Sequence, residues 1–98
     1  MARPPQLSPK DAKEKILLKL NEGKFELSFH CRYESMPKRK IKQSDILNVL
    51  ERGEIRREPE WSEKHQNWKY RVEGFDIENE KLTAITVILD LVLVVTAF

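Results

Sequence analysis

Apolar residues recur at the three- and four-residue spacing of an amphipathic helix near the start of the chain. Ser8 and Pro9 are a typical helix start, because a serine hydroxyl caps free backbone N–H groups and proline fits the first helical position. Gly23 is a typical stop. The pattern therefore predicts a helix over about Pro9–Asn21, preceded by a disordered tail at residues 1–7.

Two further helices are expected in the first half of the chain. Residues 30–36 contain no turn residues and predict a short helix that ends before Pro37, since the residue before a proline avoids the helical conformation. A second amphipathic stretch begins at Ser44, a good N-cap residue, and stops at Gly53. It predicts a helix over Ser44–Arg52.

Alternation of apolar and polar residues predicts four strands. The first covers residues 25–29. The other three form a C-terminal meander: an alternating strand that begins at Trp68, a strand over residues 82–89, and a strand over residues 91–98 after a tight turn at Asp90. Residues 82–89 are apolar on both faces, which is typical of a central strand.

The chain has 98 residues, which is enough for one domain, here residues 8–98. The element order α-β-α-α-β-β-β predicts an α+β fold. We expect a four-stranded, mostly antiparallel sheet with the C-terminal meander and with helices packed on one face.

Charge is distributed unevenly along the chain, although the 18 basic and 16 acidic residues leave a net charge of only +2. Residues 1–42 carry 11 basic and 5 acidic side chains, whereas residues 43–98 carry 7 and 11. The first segment can therefore form a basic surface suited to phosphate or another polyanion. The single cysteine excludes a cysteine-rich zinc site, and we expect no metal and no cofactor. No stretch is apolar enough to span a membrane, so we expect a cytoplasmic protein without a membrane partner.

Three stretches resemble members of the barnase–EndoU–colicin–RelE class, which includes the RelE-like toxins. Residues 29–41 resemble a signature in which His and a small residue are followed by Met and then by a basic residue and Ile. It belongs to a small domain family of unknown function in the barnase–EndoU–colicin–RelE class. The helix that follows it in that family is matched here by Asp45-Ile46-Leu47 and Gly53-Glu54-Ile55. Residues 81–95 are similar to the closing hairpin of the MqsR-type mRNA interferases.

The resemblance implies a RelE-like fold and the toxin of a type II toxin–antitoxin pair. Such a toxin cleaves mRNA, free or ribosome-bound, without a metal or an organic cofactor. Its expected partner is a cognate antitoxin, for example a small zinc-finger protein with a DNA-binding domain, which covers the basic active face. Two rivals remain open: a non-enzymatic module that binds RNA or a protein, and an immunity or inhibitor protein that uses the acidic half.

Four residues are candidates for catalysis: His30, Arg32, Lys69 and Arg71. Metal-independent RNA cleavage needs a base for the 2′-hydroxyl, positive charge for the transition state and an acid for the leaving oxygen. A histidine can act as acid or base because its unperturbed pKa lies near neutrality, and the three cations can bind phosphate. We expect the four side chains to converge in one shallow concavity between the second helix and the first meander strand. A structural role for His30, as a cap or in a polar gap, is the alternative.

Five further residues are candidates for RNA binding: Lys38, Arg39, Lys40, Tyr70 and Trp61. The basic run has a solvated turn as its simpler interpretation, and Arg39 can instead pair with Asp45 or Glu34. Tyr70 alternates with Lys69 and Arg71, so it is predicted to lie with Trp68 on the face of the strand that points to the core. Residues 54–67 are polar and show no clear periodicity, so we expect an irregular, functional loop there. Trp61 lies in this loop, where an exposed tryptophan indicates a base or a protein partner. Cys31 is either a buried small residue or a thiol activated by its basic neighbours.

Overall fold

The computed structural model describes residues 3–98, and residues 1 and 2 of the predicted tail lie outside them. The helices are α1 (Pro9–Asn21), α2 (Met36–Arg39) and α3 (Gln43–Arg52), with a π-helical turn at Cys31–Ser35 directly before α2. The strands are β1 (Phe25–Leu27), β2 (Glu60–Ser62), β3 (Asn67–Phe75), β4 (Lys81–Ile88) and β5 (Val92–Ala97). Within residues 3–98, no helix has the length and apolar character that crossing a membrane requires.

The strands form one five-stranded mixed sheet in the order β1-β5-β4-β3-β2. The predicted α+β class and the antiparallel meander β3-β4-β5 are confirmed, with β4 at the centre. The prediction of four strands is wrong, because β2 pairs antiparallel with β3 in a segment that we expected to be irregular. Its residues Glu60–Ser62 are too few and too polar to show an alternating pattern. At the other edge, β1 runs parallel to β5.

Helices α1 and α3 pack on one face of the sheet, which we call the inner face. The core cluster joins helical and strand side chains, and its fully buried members include Ile16, Ile46, Leu50, Val72, Val92 and Val94. We call the opposite face the outer face, and the strand register shows which side chains share it. Lys69 is paired with Val87, and Arg71 with Ile85. Partners in register point to the same face, so the two basic side chains of β3 lie on the outer face as the alternation predicts.

The predicted bounds of α1 are confirmed, and Ser8 caps the helix by accepting a hydrogen bond from the backbone N–H of Asp11. The predicted cap of α3 is wrong. The helix begins at Gln43, and the Asp45 carboxylate accepts a hydrogen bond from the backbone N–H of Lys42. The start of α3 is thus stabilised by a carboxylate in its first turn and not by a Ser44 cap, and this negative charge also interacts favourably with the helix dipole.

The second helical segment departs most from expectation. Phe29, predicted to end a strand, is helical and 72% exposed. The helix also continues past Pro37 to Arg39. A proline is tolerated there because the π-helical turn interrupts the regular backbone ladder, so that Pro37 lies in the first turn of α2, where no N–H donor is needed.

The junction of α1, α3 and β3 depends on a close backbone approach. A side chain at Gly53 would place its Cβ 2.5 Å from the carbonyl oxygen of Val49 and 2.8 Å from that of Glu73. Lys13 of α1 donates from its Nζ to the carbonyl oxygen of Gly53. Burial lowers the pKa of Lys13, and nearby Glu54 partly opposes this shift. The lysine therefore links α1 by a hydrogen bond to the residue that follows α3.

Candidate functional site

A cavity of about 160 Å³ opens on the outer face of the sheet. Its lining comes from β3, β4 and β5 and from the segment before β2: Arg57, Glu58, Glu60, Lys69, Arg71, Ile85, Val95 and Thr96. Three basic side chains therefore face two carboxylates over an apolar floor. The volume is several times the roughly 30 Å³ that one water molecule occupies, so a phosphate group fits.

Arg71 is the most enclosed cation of this cavity. Its guanidinium carbon lies 5.1 Å from the ring centroid of Phe98, and its Nε lies 3.9 Å from a carboxylate oxygen of Glu73. Among the described residues, this buried Nε has no hydrogen-bond partner. The ring and the carboxylate orient the guanidinium of Arg71, and its Nη groups carry further donors of the kind that bind phosphate oxygens.

Glu73 holds a second arginine beside the first. One of its carboxylate oxygens lies 3.7 Å from Nε of Arg57, which reaches over the sheet from the segment before β2. The two arginines thus share one carboxylate, although both line the cavity. This arrangement offsets part of their mutual repulsion and leaves their remaining N–H groups for a ligand.

Lys69 lies directly opposite Glu60 in the β2–β3 pairing. Both side chains line the cavity, so one group that can donate a proton and one that can accept a proton occupy neighbouring positions. This neighbourhood depends on β2, the strand that the sequence pattern does not reveal.

The four predicted catalytic residues are only partly brought together. Lys69 and Arg71 line the same cavity, whereas His30 and Arg32 are not among its described lining residues. His30 is exposed, and its Nδ1 bonds a carboxylate oxygen of Glu34 one turn later. Because a carboxylate only accepts, Nδ1 donates this hydrogen bond.

The segment of His30 nevertheless contacts β5, one of the strands that line the cavity. The hydroxyl of Ser35 lies 2.7 Å from that of Thr96, which lines the cavity. The hydroxyl of Ser28, at the start of the same segment, donates to the carbonyl oxygen of Val95, another lining residue. The segment that carries the histidine is therefore hydrogen-bonded to two lining residues, although its own residues are not among the described lining.

The predicted RNA-binding run Lys38, Arg39 and Lys40 is exposed at the end of α2. Arg39 donates to the backbone carbonyl of Lys81, which fixes the end of α2 to the start of β4. The expected partner Asp45 instead accepts from backbone N–H groups of Lys42 and Ile77. The run thus presents its charges to solvent, with one arginine oriented by the sheet.

Tyr70 and Trp61 do not offer the open aromatic faces that RNA binding requires. Tyr70 is buried, and its hydroxyl accepts a hydrogen bond from the backbone N–H of Leu7. Trp61 is half-buried on β2, where it packs edge-to-face on Trp68. The guanidinium of Arg3 lies 4.5 Å from the centroid of the Trp61 ring. The first described residues therefore occupy the surface where the sequence suggested a binding tryptophan.

Cys31 is a buried core residue, which is the first of the two expected interpretations. Burial raises the pKa of its thiol to about 11, and the neighbouring Arg32 opposes this shift only in part. An activated thiolate is thus contradicted. Across residues 3–98, no group of three or more metal-ligating side chains is assembled.

Four residues line the cavity although the sequence did not single them out: Arg57, Glu58, Glu60 and Thr96. The first three lie in the polar segment that the sequence predicts to be an irregular functional loop. The sequence therefore indicates where a site could lie, but no residue spacing indicates which residues form it. Which of the segment's many charged residues face the sheet depends on the pairing of β2 with β3.

Residues 27–98 match the model of one protein family, described as "Domain of unknown function (DUF4258)". Neither a curated protein nor a solved structure matches the chain.

Proposed function

This chain belongs to the DUF4258 family, and we propose that it is a metal-independent endoribonuclease that acts on mRNA as the toxin of a type II toxin–antitoxin pair. The observation that carries the proposal is one cavity on the outer face of the sheet in which Arg57, Lys69 and Arg71 meet. Three cations around a phosphate-sized space stabilise the charge that develops when a phosphodiester is attacked.

The residues divide into roles that the reaction requires. Arg71 and Arg57 bind the non-bridging oxygens of the scissile phosphate, and Lys69 donates a proton to the leaving 5′-oxygen. The 2′-oxygen of the preceding ribose forms the new bond to phosphorus, which gives a 2′,3′-cyclic phosphate and a free 5′-hydroxyl. The base that takes the 2′-hydroxyl proton is either Glu60, which lines the cavity, or His30, whose Nδ1 is oriented by Glu34.

The toxin assignment is supported by the resemblance of residues 29–41 and 81–95 to RelE-like toxins. A RelE-like arrangement of the α+β fold is part of the same proposal. The expected antitoxin, for example a zinc-finger protein, would cover the outer face and block the cavity.

The experiment combines expression with end mapping. Induced wild-type chain is expected to stop growth, coexpression of the neighbouring gene is expected to restore it, and the purified chain is expected to cleave RNA in the presence of a chelator. Replacement of the 2′-hydroxyl at the cleaved position by hydrogen should abolish the cut. Absence of both toxicity and cleavage would overturn the proposal.

Three variants separate the roles. Arg71→Ala should lower the cleavage rate about 10²–10³-fold, the range for one lost charge-stabilising donor. Glu60→Gln and His30→Gln distinguish the two candidate bases, because only the true base abolishes cleavage. Both side chains are exposed, so neither change should shift the thermal midpoint, and Lys10→Gln on α1 is the matched control.

A non-enzymatic RNA-binding module is the second candidate function. It is favoured by the position of His30, which is engaged with Glu34 and outside the lining of the cavity. This candidate is correct if the wild-type chain binds RNA with a salt-dependent affinity and leaves it intact.

A further inference from the structure

The segment between β1 and α3 carries an exposed pair of aromatic rings that the proposed cleavage site does not use. Phe29 is 72% exposed and Tyr33 62% exposed, although they are large apolar side chains. Their ring centroids lie 4.7 Å apart, and the two planes are tilted by 43°. We call Phe29 and Tyr33 the aromatic pair.

The position of the pair follows from the helix that carries it. Cys31, Ser35 and Met36 are buried against the sheet, so the remaining side of the helical segment faces solvent. Phe29 and Tyr33 are one turn apart and therefore stand side by side on that exposed side. Burial in the core thus does not explain either ring.

The charge around the pair indicates the kind of partner. Residues 29–42 contain five basic side chains against the single carboxylate of Glu34, and all five are exposed: Arg32, Lys38, Arg39, Lys40 and Lys42. Cores of protein interfaces are depleted of charged residues. Aromatic rings within a basic surface are instead typical of proteins that bind single-stranded nucleic acid, because bases stack on the rings while cations follow the phosphates.

We propose that the aromatic pair is a stacking site for unpaired bases of single-stranded RNA, with the basic run at residues 38–42 binding the adjoining phosphates. The basic run follows Tyr33 in the same helical stretch, since Lys38 and Arg39 lie in α2 directly after the π-helical turn. The hydroxyls of Ser35 and Thr96 join this segment to β5, and Thr96 lines the cavity. The inference rests on the proposed RNA substrate and assigns it a second contact surface.

The test measures binding without cleavage. A fluorescent 2′-O-methyl oligouridylate has no free 2′-hydroxyl, so its anisotropy reports affinity even for an active nuclease. Phe29→Ala and Tyr33→Ala should each weaken binding about tenfold or more, the effect of losing one stacked base. Tyr33→Trp should retain or raise the affinity, since a larger ring stacks at least as well.

Leu18→Ala is the matched control, because Leu18 is a comparably exposed apolar residue on α1, 58% exposed. It should change binding less than about twofold, within the small effects expected of surface substitutions away from a site. The thermal midpoints of all variants should stay close to that of the wild type, since no buried side chain is removed.

The possible failures are distinguishable. Unchanged oligouridylate affinity of the Phe29→Ala/Tyr33→Ala double variant overturns the stacking site. A double variant that loses affinity for an antitoxin but keeps its affinity for RNA overturns it as well. Equal losses against a duplex and a single strand also overturn it, because paired bases cannot stack on the rings. If the double variant loses binding but the wild type cleaves no RNA, the stacking site stands and the nuclease proposal falls.

Discussion

The guanidinium carbon of Arg71 lies 5.1 Å from the centroid of the Phe98 ring, on the outer face of the sheet. Phe98 is held there by backbone hydrogen bonds in both directions with Thr83, at 2.7 and 2.9 Å. The ring and Glu73 together limit the positions that the guanidinium can take. The last residue of the chain thus helps to orient the central cation of the cavity.

Phe98→Leu should therefore reduce RNA cleavage more than it reduces stability. The change keeps an apolar side chain but removes the π face, which is worth about 0.5–2 kcal/mol to a cation. We expect a loss of roughly fivefold in kcat/KM, well below the loss for Arg71→Ala. Phe75→Leu is the control, because Phe75 has nearly the same exposure, 48% against 47%, and makes no cation–π contact among the described residues, whereas Phe98 lies against Arg71. Equal effects of the two changes would contradict the orienting role.

The basic run at residues 38–40 should determine much of the salt dependence of RNA binding. For single strands the slope of log K against log salt is about −0.7 per neutralised phosphate, so changing all three residues to Gln should flatten it by up to about 2. The measurement is anisotropy at a series of salt concentrations. Changing Lys10, Lys15 and Lys19 of α1 removes the same charge elsewhere and should leave the slope nearly unchanged. Binding insensitive to salt would favour the protein-partner alternative.

The first described residues should stabilise the edge of the sheet at β2. Trp68 Nε1 donates to the carbonyl oxygen of Pro4 at 2.7 Å, and Arg3 lies over the ring of Trp61. Removing residues 1–4 deletes both contacts, so we expect a lower thermal midpoint and a red-shifted tryptophan emission, since both tryptophans of the chain lie there. Lys10→Ala should change neither signal. An unchanged emission spectrum would show that these contacts do not persist in solution.

The Cys31 thiol should be unreactive until the chain unfolds. Burial raises its pKa from an ordinary value of 9.0 to about 11, so the thiol is protonated and shielded at pH 8. Labelling by a thiol reagent should be slow in buffer and fast in denaturant. Fast labelling in buffer would contradict the burial.

The same pKa shift has a defined effect on stability. A thiol whose folded pKa is raised stabilises the fold fully below its unfolded pKa, and that contribution is lost as pH rises from about 9 to about 11. The stability advantage of the wild type over Cys31→Ala should therefore shrink across this window. Denaturant unfolding at several pH values measures it, and a constant difference would refute the shift.

Local pattern was sufficient for α1 and the meander, because each has enough residues for its period to be unambiguous. The thirteen residues of α1 begin with Ser8 and Pro9, and β4 is apolar on both faces. The parity of β3 also placed Tyr70 and Val72 opposite Lys69 and Arg71, since side chains of a strand alternate whatever its neighbours are. The sequence by itself therefore determined which basic side chains of β3 point away from the core.

The tertiary structure decided what those cations meet. Strand β2 exists because Glu60–Ser62 pairs with β3, and its polar residues carry no periodic signal of their own. That pairing brings Glu60 opposite Lys69, and the segment before it delivers Arg57 to Glu73, contacts between residues that no spacing along the chain relates. Phe29 likewise continues an alternating pattern, but β1 ends before it and the chain becomes helical. Ser28 stabilises this helix start, because its hydroxyl and its carbonyl oxygen accept hydrogen bonds from the backbone N–H groups of Cys31 and Arg32. Alternation is a local property of the backbone, whereas the partner of a strand and the exposure of a ring depend on which distant segments pack together.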